Sequence, residues 1–287
     1  MSKRFLFRKP IWIILLLTIY ISLTAPLSIA QTLHHIPIVN NDSVIDSHLA
    51  NGGSILLAQK SIGDSESLPS QENNDHEGLY IKSDFSAGAN HFSDGSNAGH
   101  AIAAHGNVHH AFSASGDSTS AAIIFNGDGD YLSITDKDAW DFGTDDFTID
   151  LWLNFADKPD LYDGIFSTYN RKGNDGYWLY LYKGKIHWAS LHIGLMDTGF
   201  SPAPGAWTHL AVVRHGDILT IYIDGKARIS KNCSKIPFNS SDGVLAFGRL
   251  FTGLDGWYFK GDMNEIRVTR GIARWTENFT PPAIHKP

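Results

Sequence analysis

Cysteine is all but missing from this chain. Cys233 stands alone among 287 residues, so there is no intrachain disulfide and no thiolate set for structural zinc. Positive charge is the minority sign: 23 Lys and Arg face 30 Asp and Glu, for a net charge of −7. Partners held through their phosphates, nucleic acid and anionic membrane surfaces, call for the opposite balance, and no nucleic acid is expected. Glutamate is scarcest where catalysis would need it. Past residue 76 only Glu77, Glu265 and Glu277 occur, whereas a glycosidase sets two carboxylates about 5 Å apart, or wider for inversion. A Gly-X-Ser-X-Gly elbow is absent as well, and no phosphate-cradling glycine loop opens a helix. What remains is a chain that is 43% apolar, enough for an ordinary core.

The N-terminus reads as an address. Lys3, Arg4, Arg8 and Lys9 precede an uncharged run over 10–33 with an aliphatic and aromatic centre, and Ser28-Ile29-Ala30 supplies small residues ahead of Gln31. This layout predicts a signal peptide over 1–30 and a secreted or cell-surface protein. Left uncleaved, the same run is long enough to anchor in a bilayer, and only then does a membrane become a partner. Residues 31–76 hold no Phe, Trp or Tyr and carry six acids against Lys60 alone. Such a stretch cannot bury enough apolar area to offset its ordering entropy, which predicts a disordered, low-complexity acidic spacer. Ile36-Pro37-Ile38-Val39 and Ile55-Leu56-Leu57 leave room for a short strand within it.

At residue 77 the composition changes, and seven of the eight Trp lie beyond it. Over 77–287 the periodicity is two. Phe147, Ile149, Leu151, Leu153 and Phe155 alternate with Thr148, Asp150, Trp152 and Asn154, which predicts a strand with one wholly apolar face. Residues 218–223 are β-branched and end in Asp224-Gly225, a pair suited to a type I′ hairpin turn. Further strands are predicted at 79–82, 100–104, 122–126, 131–135, 164–169, 177–182, 185–189, 207–214, 244–249 and 262–269, with turn residues between them. Many short antiparallel strands at that spacing predict an all-β, two-sheet antiparallel sandwich or jelly roll.

The motifs in order resemble the laminin-G-like, concanavalin A-like jelly-roll family, over essentially all of 77–287. Phe92-Ser93-Asp94-Gly95-Ser96 with Gly99-His100 is similar to that family's opening. Ile124-Phe125-Asn126-Gly127-Asp128-Gly129-Asp130-Tyr131-Leu132 and Asp146-Phe147-Thr148-Ile149-Asp150-Leu151-Trp152-Leu153 follow. Then come Trp207 to Arg214, Ile221-Tyr222-Ile223-Asp224-Gly225, Gly261 to Val268, and a closing Ala273-Arg274-Trp275-Thr276-Glu277-Asn278-Phe279-Thr280-Pro281-Pro282. The resemblance implies the fold far more than the function, because this fold hosts lectins, adhesins, glycosidases and structural modules. Hydrolases of similar fold carry an alternating Glu-X-Asp-X-X-Glu strand, which this chain lacks. Asp146 and Asp150 are the one conceivable acid pair.

The stretch Tyr177-Trp178-Leu179-Tyr180-Leu181-Tyr182 is the leading candidate for a site. Alternation assigns Tyr177, Leu179 and Leu181 to the core and leaves Trp178, Tyr180 and Tyr182 as an aromatic ribbon on the other face. Flat rings stack on sugar rings while the hydroxyls bond at the edge. Trp152 and His187 are candidates to extend the platform. Loop residues Tyr169, Asn170, Arg171, Asp175, Asp255, Trp257 and Tyr258 are candidates for polar specificity. Burial of the same rings as a second core is the competing account.

The 14 histidines, with no helical ligand spacing, read as packed or solvated. Calcium is the better metal: 21 of the aspartates fall beyond residue 76, many in turns, and carboxylate and carbonyl oxygens suit that ion. Related folds hold calcium where first and last strands meet, which implies Asp84, Asp262 and the segment through Asn264 to Glu265. Asn264 stands where the family usually has an aspartate, and turn-capping by the acids is the alternative. The expectation is an exported, non-catalytic module that binds glycan or glycoprotein. A structural or adhesive surface protein without a sugar site is the alternative, followed by a glycoside hydrolase.

Overall fold

A strand with one apolar face needs another apolar face to lie against, and this domain supplies two sheets of them. The computed structural model describes residues 38–40, 43–49, 55–60, 77–83, 90–112, 121–157, 162–252 and 256–284. The predicted leader, 1–30, lies outside the described residues. The chain divides into two units, Met1–Ser70 and Gln71–Pro287. In the first, strands β1 (Ile38–Asn40), β2 (Ser43–Leu49) and β3 (Ile55–Lys60) form an antiparallel three-stranded sheet within the stretch read from sequence as a spacer.

The second unit opens with β4 (Glu77–Ile81), β5 (Ile102–His105), β6 (His109–Phe112), β7 (Ala121–Asn126) and β8 (Tyr131–Thr135). Next come β9 (Phe147–Phe155), β10 (Tyr162–Ser167), β11 (Tyr177–Tyr182), β12 (Lys185–Ser190) and β13 (Gly194–Asp197). The chain then continues through β14 (Trp207–His215), β15 (Ile218–Ile223), β16 (Lys226–Asn232), β17 (Val244–Phe247) and β18 (Lys260–Arg270). A seven-stranded sheet runs β13-β12-β11-β10-β17-β8-β5, and an eight-stranded sheet runs β16-β15-β14-β9-β18-β7-β6 with β4 on β18. All strand pairs in both are antiparallel, the sheets are open, and no helix occurs among the described residues. None is therefore long and apolar enough to cross a membrane.

The core lies between the sheets. Phe147, Ile149, Leu151, Leu153 and Phe155 of β9 face Tyr177, Leu179 and Leu181 of β11, with Trp140, Trp188 and Phe247, all fully buried. The Asp224-Gly225 turn joins β15 to β16 with φ of 50° and 70°, positive at both positions as a type I′ turn requires. The sequence reading missed β6, β13 and β16. All three are edge strands, β13 at an end of the seven-stranded order and β6 and β16 at the two ends of the eight-stranded one, and the exposure of β16 is nearly continuous. A strand without a buried face has no alternation to detect.

β18 is the keystone of the larger sheet. Along one side it pairs with β9. Along the other, Lys260 to Met263 pair with β7 and Ile266 to Thr269 pair with β4, end to end. The junction falls at a bulge, where Glu265 adopts φ of 51°. Asn264 closes the gap there. Its side-chain oxygen accepts from the Ser83 and Glu265 backbone N–H groups at 2.8 and 2.9 Å, and its Nδ2 donates to the Ala121 carbonyl at 2.8 Å. The Glu265 carboxylate in turn accepts from the Tyr80 hydroxyl.

Candidate functional site

Sheet pleat sends every second side chain of β11 away from the core. Trp178, Tyr180 and Tyr182 accordingly project from the outer face of the seven-stranded sheet, where a second apolar cluster forms around Tyr180, Ala189 and Leu250. Register arranges the neighbours. Tyr162 on β10 pairs with Tyr182, their rings stacked at 4.6 Å, and Tyr180 pairs with His187 on β12, rings 5.4 Å apart. Trp178 stacks on Tyr169 at 4.9 Å and meets Phe251 edge-on at 6.1 Å.

Two loops enclose these rings into a groove of about 350 Å³ lined by Tyr162, Arg171, Trp178, Tyr180, Leu250, Phe251 and Trp257. That volume lies near the lower end of the roughly 300–1,000 Å³ found for small-ligand sites. Gly164 makes the enclosure possible. It has no side chain where Arg249 and Leu250 cross β10; a Cβ there would collide with the Leu250 nitrogen and the Arg249 carbonyl carbon. In its place, the Gly164 N–H donates to the Trp257 carbonyl at 3.0 Å. Arg171 and Trp257, one on each loop, adopt φ of 64° and 56°. Left-handed backbone at bulky residues is strained, and such strain concentrates at functional sites.

The polar loop residues build the walls. Asn170 accepts from the Lys172 and Gly173 N–H groups and donates to Asp242, which also accepts from Thr252. This carboxylate ties the two loops together. Asp175 accepts from His192 at 2.7 Å and from Asn239 at 3.5 Å. Tyr258 lies with Tyr131 and Arg249 farther along the same face, the guanidinium 4.4 Å from the Tyr131 ring centroid. Burial pushes the Tyr180 hydroxyl up to about 12, helped by Tyr162, Tyr182 and Asp197. It therefore stays protonated, a donor at the groove floor, across the physiological range.

Of the residues proposed from sequence, Trp178, Tyr180, Arg171 and Trp257 share this groove, and Tyr182 stacks beside it. Trp152 does not join them. It projects from the outer face of the eight-stranded sheet, its ring 5.2 Å from His209, because β9 belongs to the other layer of the sandwich. Its neighbour Asp150 is buried with His209 at 3.4 Å, and Asp146 accepts from the Gly216 N–H at 2.7 Å as a turn cap. Neither carboxylate lines this groove, whose lining among the described residues contains no Asp or Glu.

Of the residues proposed for calcium, Asp262 and Asn264 are described and lie on β18. Asp84 and Asp255 lie outside the described residues. Asp262 is buried and accepts from Asn154 Nδ2 at 3.1 Å. Asn264 spends both ends of its amide on backbone. Among the described residues no three His, Cys, Asp or Glu side chains converge on one point. Tyr162, Leu250 and Phe251 were not named from sequence. The large apolar residues at 250 and 251, set in a loop just after a strand, were the available signal.

Comparison with known proteins bears on this geometry. Residues 126–275 match a laminin-G family model described as the concanavalin A-like lectin/glucanases superfamily. Among solved structures, the chain is similar to the receptor binding domain of botulinum neurotoxin D, with 14% identity and a TM-score of 0.52 over 72% of this chain and 50% of that one. It is similar to the binding domain of Paraclostridial Mosquitocidal Protein 1 at 16% identity and TM-score 0.52, over 69% and 49%. Domain 4 of AbnA, an extracellular GH43 arabinanase from Geobacillus stearothermophilus solved with arabinotriose, aligns at 20% identity and TM-score 0.51, over 68% of this chain and 94% of that domain. The chain thus spans about half the length of the toxin binding domains. At these identities the likeness is one of fold.

Proposed function

Because the chain belongs to the concanavalin A-like lectin/glucanase superfamily through residues 126–275, we propose that it is an exported, non-catalytic recognition module that binds glycan chains in the groove between Trp178 and Trp257. One observation carries the reading: an aromatic groove, half open to solvent, holding a protonated Tyr180 hydroxyl and framed by two loops in strained left-handed conformations at Arg171 and Trp257. Aromatic walls offer apolar faces and edges to sugar C–H groups, and the hydroxyl supplies a directed bond. The arabinotriose seen on the AbnA domain, a protein of the same fold, is consistent with a saccharide as ligand.

A second reading draws on the rings themselves. Tyr162 stacks on Tyr182, Trp178 on Tyr169, and Tyr180 is 8% exposed. These contacts occupy ring faces that a sugar would use, as expected of an adhesive or structural protein with no sugar site. Glycan-array screening followed by calorimetry separates the two. Trp178→Ala is expected to weaken glycan binding about tenfold or more while the melting midpoint stays within a few degrees. Absence of binding by the native chain, with and without chelator, would leave the structural reading standing. The chelator arm also tests the calcium expectation independently.

A further inference from the structure

We propose that the groove selects an acidic saccharide, one whose carboxylate pairs with the Arg171 guanidinium; this rests on the glycan-binding reading above. Arg171 is the only charged residue in the lining among the described residues. Its guanidinium sits over the Phe251 ring at 5.4 Å. A guanidinium held over a ring by cation–π attraction keeps N–H donors to offer to a carboxylate, which can take two of them at once. Arg171 enters none of the ion pairs among the described residues, whereas the neighbouring carboxylates are engaged. Asp242 is held by Asn170 and Thr252, Asp175 by His192, and Asp197 lies 3.7 Å from His187.

The charge of the face supports the same conclusion. The chain is net −7, yet on this side the exposed Lys183 stands over the Tyr182 ring at 5.2 Å. A second cation set on a ring beside the groove suits a saccharide chain that carries negative charge and apolar ring faces. A neutral oligosaccharide would leave the Arg171 donors without a carboxylate, gaining nothing from the charge.

The test is calorimetric titration of the full chain. The acidic probes are oligogalacturonate, alginate and hyaluronan oligosaccharides and sialyllactose. The neutral probes are methyl-esterified oligogalacturonate, maltohexaose and xylohexaose, with a single-stranded dT oligomer as a non-sugar polyanion. At least one acidic sugar is expected to bind about tenfold or more tightly than the neutral set, as a charge-assisted bond implies. R171Q should abolish that preference, and K183Q, outside the groove lining, should reduce it and its salt dependence, while W178A weakens every sugar. Equal affinity for neutral sugars, or an acid preference retained in R171Q, overturns the proposal but leaves glycan binding intact. Equal or tighter binding of dT overturns the saccharide assignment, and no sugar bound at all removes the glycan reading beneath it.

Discussion

Asn264 shows how one atom can decide a residue's meaning. It stands where the resembling family usually has an aspartate, and its Nδ2 donates to the Ala121 carbonyl at the seam between β4 and β7. A carboxylate has no N–H to give, and at 1% exposure it would also be a charge buried beside a carbonyl. Asn264→Asp is therefore expected to destabilise the protein by about 2–3 kcal/mol, read from urea unfolding midpoints; a midpoint equal to the native one would refute the seam role. Asp163 carries a different tension. Burial, then the Asp157 carboxylate, push it up to about 7 against the opposing charge of Lys260, and its Oδ2 has no hydrogen-bond partner. The folded protein then holds a proton on Asp163 that the unfolded chain releases nearer pH 4. Between about pH 4 and 7 the folded state binds more protons, so this group makes stability fall as pH rises, with the full cost present above 7. Asp163→Asn should flatten that slope and raise the melting temperature at pH 8 by about 3 °C or more, with little change at pH 4. Superimposable pH profiles of the two proteins would show that Asp163 is not the source.

Among the elements, the crossing of Arg249 and Leu250 over β10 makes the groove. Its floor residue Leu250 and wall residue Trp257 hold their places because Gly164 lets the backbones touch. Gly164→Ala is expected to push that segment outward, cost about 1–3 kcal/mol in stability, and abolish ligand binding even though residue 164 does not line the groove. Thermal melts and the same calorimetric titration check both parts; binding at native affinity would show that the segment yields without opening the groove. At this scale the sequence was legible wherever one face is buried. The alternation in β9 and β11 identified both strands and the outward set Trp178, Tyr180 and Tyr182, since period two is a direct consequence of the pleat. It could not identify β16, exposed along most of its length, or the partnership of Tyr162 with Tyr182, which depends on how β10 registers against β11. Trp152 marks the same limit: alternation gave its side of β9 and not the layer in which β9 lies.

For the whole molecule, the absence of disulfides places the burden of stability on side-chain burial between two open sheets. Cys233 is fully buried and alone. A reductant should leave the melting temperature unchanged, and a fragment spanning residues 71–287, which forms its own contact unit, should unfold at the native midpoint with unaltered glycan binding. A lower midpoint for the fragment, measured by circular dichroism, would assign part of the stability to residues 1–70. The amino-acid sequence by itself determined the class of fold, the strand faces, the turn at Asp224-Gly225 and the lack of covalent staples, because each follows from local periodicity, backbone preference or a simple count. Only the tertiary structure decided which rings share a common space, that Asn264 bridges the seam between β4 and β7, and that Trp152 and Trp178 lie on opposite sides of the sandwich. Those outcomes depend on sheet order and on the close approach of segments far apart in the chain, and neither leaves a periodic trace in the residues that it joins.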